Sequence, residues 1–232
     1  MLLASLAAAL GTARLGFWQL DRAAQKIALH DAIVARGDMP PLTVDELATQ
    51  PSQVAAQEHR RVQLEGRWLA GRDIYLDNRQ MDGRPGFYLV TPLLLADGDA
   101  VLVQRGWLPR NALDRTQLAP VTTPEGRVRI EARITPGLAR LYEFDAAASG
   151  AIRQNLDVAA YAQEIGLRLR PLALLQLDSA GGPADGLQRR WQPSAPDVSK
   201  HHGYALQWFA LSALVTGLYV WFQLIQPRRR PR

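Results

Sequence analysis

From Gly203 to Gln226 the chain carries no Asp, Glu, Lys, Arg or His. The stretch reads GYALQWFALSALVTGLYVWFQLIQ, and about 20 apolar residues suffice to cross a hydrocarbon core of roughly 30 Å. Tyr204 and Trp208 mark one end, Tyr219 and Trp221 the other, as in the aromatic belts of spanning helices. A helix buried in a soluble core is the alternative, but few such helices are apolar all round for this length. The segment predicts a membrane protein, although a mean hydropathy of -0.14 and 21% charged residues would suit a soluble one.

Met1 to Leu20 (MLLASLAAALGTARLGFWQL) is apolar except for Thr12, Arg14 and Gln19. It is expected to be a retained transmembrane helix. A cleaved secretory signal is the rival, supported by the small residues at Ala7–Ala9 and Thr12–Ala13. Against cleavage, no basic segment precedes Leu2, and the apolar pattern continues through Trp18 into the amphipathic stretch DRAAQKIALHDAIVARG. A start a few residues upstream would account for the missing basic flank. Arg14 has to snorkel or face protein. After the second apolar run comes Pro227-Arg228-Arg229-Arg230-Pro231-Arg232, and the positive-inside rule places these arginines in the cytoplasm. The expected organisation is a transmembrane helix at 1–20, an outer domain at 21–200, a second transmembrane helix at 201–226 and a basic cytoplasmic tail at 227–232.

A net charge of +5 and a pI near 10 invite a nucleic-acid reading. It fails because the arginines are dispersed, and only the tail is a true run. The absence of cysteine excludes thiolate metal sites and disulfides.

Between the apolar ends the pattern changes. A helix is expected to run from the membrane to about Val34, stopped by Pro40-Pro41. Thr43-Val44-Asp45-Glu46 fits a capping box and predicts a short helix to about Thr49. Val62–Gly66, Ile74–Asp77 and Val128–Ile134 alternate at period two, the mark of half-buried strands. Phe87–Leu95 is a longer strand in which Pro92 implies an edge or a bulge. Asp82-Gly83 marks a turn, and Asp97-Gly98 a hairpin that returns through Val101–Trp107. Gly106 is expected at a bulge or a close backbone contact. Asn155 and Gly166 bracket a helix, Leu172–Leu177 supplies a last strand, and Ala180–Gly186 reads as a loop. The fold class is α+β: two terminal transmembrane helices flanking an antiparallel, β-rich, barrel-like extracytoplasmic domain.

No G-x-S-x-G, Walker loop, G-x-G-x-x-G or H-E-x-x-H is present, which argues against an enzyme. His30 and His59 read as surface residues. His201 and His202 precede the second span directly, and His201, Tyr204 and Trp208 fall at i, i+3 and i+7 on one helix face. Two readings stay open on spacing alone: interfacial anchoring, or a ligand for haem iron or a partner contact.

Several blocks carry a resemblance: Gly16-Phe17-Trp18-Gln19-Leu20-Asp21-Arg22 with Lys26; Arg61-Val62 with Gly66; Asn78-Arg79; Gly86 through Thr91-Pro92; Val101–Pro109; and His201-x-x-Tyr204-Ala205-Leu206-Gln207-Trp208. In this order between two terminal spans they resemble the SURF1/Shy1 family of cytochrome c oxidase assembly factors. Gln104, where Asn is more usual, and Arg14 depart from the pattern. The resemblance implies a non-enzymatic factor of the bacterial inner membrane, in contact with the bilayer. It would assist delivery of haem a to subunit I of cytochrome c oxidase, with haem a synthase as a further partner. The alternative is a scaffold that steadies an oxidase intermediate without binding haem. The residue matching the family's haem-ligating histidine is His201. Trp18, Gln19 and Arg22 are then expected at the same depth as His201, Tyr204 and Trp208, lining one haem pocket, with Arg22 and Lys200 toward the propionates. Arg105 and Trp107 are expected either to hold the strand or to form a docking surface for a partner.

Overall fold

The structure is a computed structural model and describes residues 2–141, 150–178, 185–191 and 197–226. Two compact units emerge, one from residues 1–32 with 193–232, the other from residues 33–192. The expected tail at 227–232 and most of the Ala180–Gly186 loop lie outside the described residues.

In the first unit, helix α1 (Leu2–Gly37) runs without a break through the boundary expected at residues 20 and 21. Its last turn belongs to the second unit. Helix α4 (Ser199–Val220) ends in a π-helical turn, Trp221–Ile225, in which the Gln226 N–H donates to the Trp221 carbonyl. Among the described residues one helix, Ser199–Ile225, is long and apolar enough by length and composition to cross a membrane.

The second unit is a β-barrel with additions. Its strands are β1 (Arg61–Trp68), β2 (Ile74–Met81), β3 (Arg84–Leu94), β4 (Ala100–Pro109), β5 (Arg127–Thr135), β6 (Ile152–Arg153) and β7 (Leu169–Gln176). Five close a ring in the order β1-β5-β7-β4-β3, sealed where Arg67 and Trp68 pair with Leu94 and Leu93. β2 and the two-residue β6 extend the sheet beyond β3. The barrel is mixed rather than antiparallel: β7 lies parallel to β4, and β6 parallel to β2. The reason is positional. β7 arrives after β5 and fills the gap between β5 and β4, so its direction is set by β5, its antiparallel neighbour.

Alternation explains the interior. Val62, Leu64 and Trp68 of β1 meet Ile130, Ala132 and Ile134 of β5, Leu172 and Leu174 of β7, and Val101 and Val103 of β4. Removing such side chains from water contributes about 1.5–3 kcal/mol each. Pro92 sits where β3 exchanges one neighbour for another: Val90 still pairs with β2, Leu93 already with β1. Its carbonyl accepts from the Leu69 N–H, and no N–H is needed at the hand-over.

Local signals were read with mixed results. Asp82-Gly83 is the tight two-residue turn, both residues at positive φ (51° and 74°), whereas the Asp97-Gly98 hairpin has a longer loop with positive φ at Gly98. Thr43 and Glu46 form a turn, not a helix: the Glu46 carboxylate accepts from both the N–H and the hydroxyl of Thr43. The helix begins later, as α2 (Pro51–Gln57), where proline suits the first helical position. Helix α3 (Val158–Ile165) is capped by Asp157 rather than Asn155, and ends at Gly166 with φ 68°. Asn155 instead clasps the backbone of Leu141, its amide both donating and accepting.

Candidate functional site

Among the described residues no group of three or more His, Cys, Asp or Glu side chains could hold a metal ion. Two places carry the residues singled out above: β4 of the barrel, and the seam between α1 and α4.

The β4 residues are internal. A bulge between Leu89 and Val90 of β3 and Gly106 and Gln104 of β4 leaves Arg105 as the extra residue. Its side chain is 1% exposed, between the Trp68 ring (4.7 Å to the centroid) and the Asp185 carboxylate (3.6 Å). It also donates to the Thr123 hydroxyl (2.7 Å) and the Thr122 carbonyl (3.1 Å). Burial pulls its pKa below the usual arginine value, and Asp185 and Asp73 oppose that pull. Trp107 is wholly buried. The docking surface expected of Arg105 and Trp107 is therefore corrected, since neither offers a face to a partner. The other barrel blocks that carry the family resemblance are structural too. A Cβ at Gly66, Gly86 or Gly106 would lie within 2.6 Å of a neighbouring atom. Arg79 is turned inward to the carbonyls of Ala139 and Gln154.

The seam is built from small residues. A Cβ on Gly16 would fall 2.6 Å from the Phe209 ring, and Ala23 and Ala205 are each 2% exposed. The Ser212 hydroxyl donates to the Ala9 carbonyl at 2.8 Å, and the Phe17 and Phe209 rings meet edge to face at 5.1 Å. Small residues bring two helix backbones close, the usual packing device where the solvent is lipid. Ala9, Gly16 and Ala23 recur every seven residues, and Gln19, three beyond Gly16, joins the same stripe.

At that level His201 meets α1. Its Nδ1 lies 2.8 Å from the Gln19 Oε1. Just outside the helix, Asp197 accepts from the Ser199 N–H and hydroxyl. Those bonds, with Lys200 and Lys26 nearby, hold its carboxyl below the usual range.

The remaining expected members have other contacts. Trp18 is one residue, about 100°, off the stripe and is 50% exposed, with the Arg22 guanidinium 5.8 Å from its ring centroid. Arg22 also donates to the Gln25 side-chain Oε1 at 3.1 Å. Tyr204 is 51% exposed and Trp208 partly buried. Of the six residues expected to line one pocket, His201 and Gln19 are in direct contact. Gln19 and His201 were expected at one depth; the hydrogen bond between them is what the structure adds. His30 and His59, expected on the surface, are both partly buried, His59 beside Glu58 at 3.5 Å.

The described residues thus comprise a closed five-stranded barrel and a pair of long helices, one of them long and apolar enough to cross a membrane. The SURF1 family profile matches residues 6–213, and the chain belongs to the SURF1 family. It is similar to a SURF1-like protein of Rickettsia felis, 27% identical over 89% of both chains. It is also similar to Surfeit locus protein 1 of Xenopus tropicalis, 26% identical over 90% of this chain and 71% of that one. The cytochrome oxidase assembly protein SHY1 of Saccharomyces cerevisiae is 30% identical over 48% of this chain and 29% of its own.

Proposed function

We propose that this chain is an assembly factor for haem–copper cytochrome oxidase, acting on subunit I, at the step where haem a is delivered. The observation that carries the reading is the extent of the family match, which spans α1, the barrel and most of α4 and so includes both candidate sites. The yeast relative's name supplies the oxidase. Both α1 and α4 span the bacterial inner membrane in this reading. The four arginines after α4 keep both termini in the cytoplasm and the barrel in the periplasm.

The donor set suits haem. His201 offers one imidazole at the end of α4, and Trp18, Tyr204 and Trp208 offer aromatic faces on the same helix pair. Arg22 offers a cation for a propionate. When bound, haem a would supply the redox centre that the oxidase needs; this chain's part is to hold and release it, with no bond made or broken in the protein.

The test is twofold. A strain lacking this gene should lose haem a from subunit I while still making haem a. The protein purified from a host that makes haem a should carry its absorbance, and His201→Ala should lose it. An unchanged oxidase spectrum in the deletion strain rejects the assembly role. Lost oxidase with colourless wild-type protein would favour the scaffold reading.

A further inference from the structure

We propose that Gln19 is a positioning residue that locks His201 in a single tautomer and so decides which of its nitrogens is free to bind. The proposal rests on the reading of His201 as a haem ligand for its purpose, but on the geometry of the seam for its substance. An amide oxygen can only accept. With Oε1 of Gln19 2.8 Å from Nδ1, the proton sits on Nδ1, and the lone pair of the neutral ring sits on Nε2. Among the described residues Nε2 has no hydrogen-bond partner. This is the division of labour seen in metal-binding imidazoles, where one nitrogen donates to a fixed oxygen and the other, made more basic by that bond, meets the metal.

The helix that carries Gln19 is itself held in place. Gln19 stands on the stripe between Gly16 and Ala23, where the Phe209 contact and the Ser212–Ala9 bond fix the helices against each other. His202 is the natural comparison. It has the same side chain one residue on, but it is exposed and has no such acceptor. The seam, rather than the residue type, singles out His201.

The test uses the full-length chain in detergent micelles, labelled with ¹⁵N-histidine, and ferric protohaem as the probe. In the wild type the His201 ring should show a protonated Nδ1 and a bare Nε2. Gln19→Leu should shift the ring toward the Nε2-protonated form and weaken protohaem binding about 10- to 100-fold. Gln19→Glu, which keeps an acceptor oxygen, should restore both. A Gln19→Leu protein with unchanged tautomer, or with unchanged affinity while His201→Ala abolishes binding, overturns the role of Gln19. A His201→Ala protein that still binds protohaem with its original spectrum overturns the ligand reading instead. A Gln19→Glu protein that fails to recover, while its melting temperature equals that of the wild type, also counts against the proposal.

Discussion

The indole N–H of Trp107 donates to the backbone carbonyl of Arg79 across 3.0 Å, tying β4 to the bulge in β2. Both side chains are buried, so no water can replace that donor if it is lost.

Replacing Trp107 with Phe keeps an aromatic ring but leaves the Arg79 carbonyl without its donor. An unsatisfied buried group costs about 1–3 kcal/mol, which in a chain of this size lowers the melting temperature by roughly 2–10 °C. Thermal denaturation of the purified protein, followed by circular dichroism, checks it. An unchanged midpoint would show that the bond contributes nothing.

Gly86 and Gly106 are set by space rather than by φ. A Cβ at Gly86 would lie 2.3 Å from the Leu108 carbonyl oxygen, and one at Gly106 2.5 Å from the Leu187 Cβ. Gly86→Ala and Gly106→Ala should each cost about 1–3 kcal/mol of stability. Gly137→Ala, with nothing within 4 Å, should melt with the wild type.

Asp185 serves two guanidiniums, Arg105 at 3.6 Å and Arg189 closer still, and its side chain is 2% exposed. Asp185→Asn leaves Arg105 buried without its carboxylate while Arg189 keeps Asp178 at 3.4 Å, and the loss of a buried partner costs about 3–5 kcal/mol. Arg105→Met leaves Asp185 still paired with Arg189 and should cost less. Chemical denaturation of both variants should rank them in that order.

Tyr161 reports on alkaline stability. Its hydroxyl donates to the Arg72 carbonyl at 2.6 Å, and burial, with Glu164 adding to it, pushes its pKa up to about 12. The unfolded chain releases this proton near pH 10 while the folded one retains it, so the stabilisation is complete below pH 10 and is lost between about pH 10 and 12. Wild-type protein should therefore lose its melting temperature more steeply over that interval than Tyr161→Phe. Parallel curves would remove Tyr161 from the account.

The helix seam can be probed directly because the chain has no cysteine. Ala9→Cys with Ser212→Cys places thiols on two residues that already touch, the Ser212 hydroxyl on the Ala9 backbone carbonyl. Oxidation should crosslink them, and adding Gly16→Leu, which collides with the Phe209 ring, should prevent it. Crosslinking at equal yield in both would mean that Gly16 does not set the approach.

These cases also show what could be read from residues alone. β1 and β5 were legible because one wet and one dry face leave a period of two. The Asp82-Gly83 and Gly166 signals were legible because a backbone conformation demands particular residues. Thr43 and Glu46 misled because the same side-chain bonds that open a helix can close a turn. Arg105 misled because its charge suggests water, and a bulge that turns a strand inward leaves no periodic trace. Gln19 and His201 stand 182 residues apart; a pair of spans puts them at one depth, but nothing local in either helix announces the bond between them.

The place of β7 has a consequence for how the cell makes this protein. The ribosome releases β1 to β5 first, yet β4 and β5 keep bare edges until β7 emerges to pair with both. Bare edges recruit other strands, and such long-range pairing is slow to form. α4 begins at Ser199, so the wall can seal only shortly before the final helix is made. A chain cut short before β7 would be an adhesive fragment with two open strand edges, not a smaller working protein.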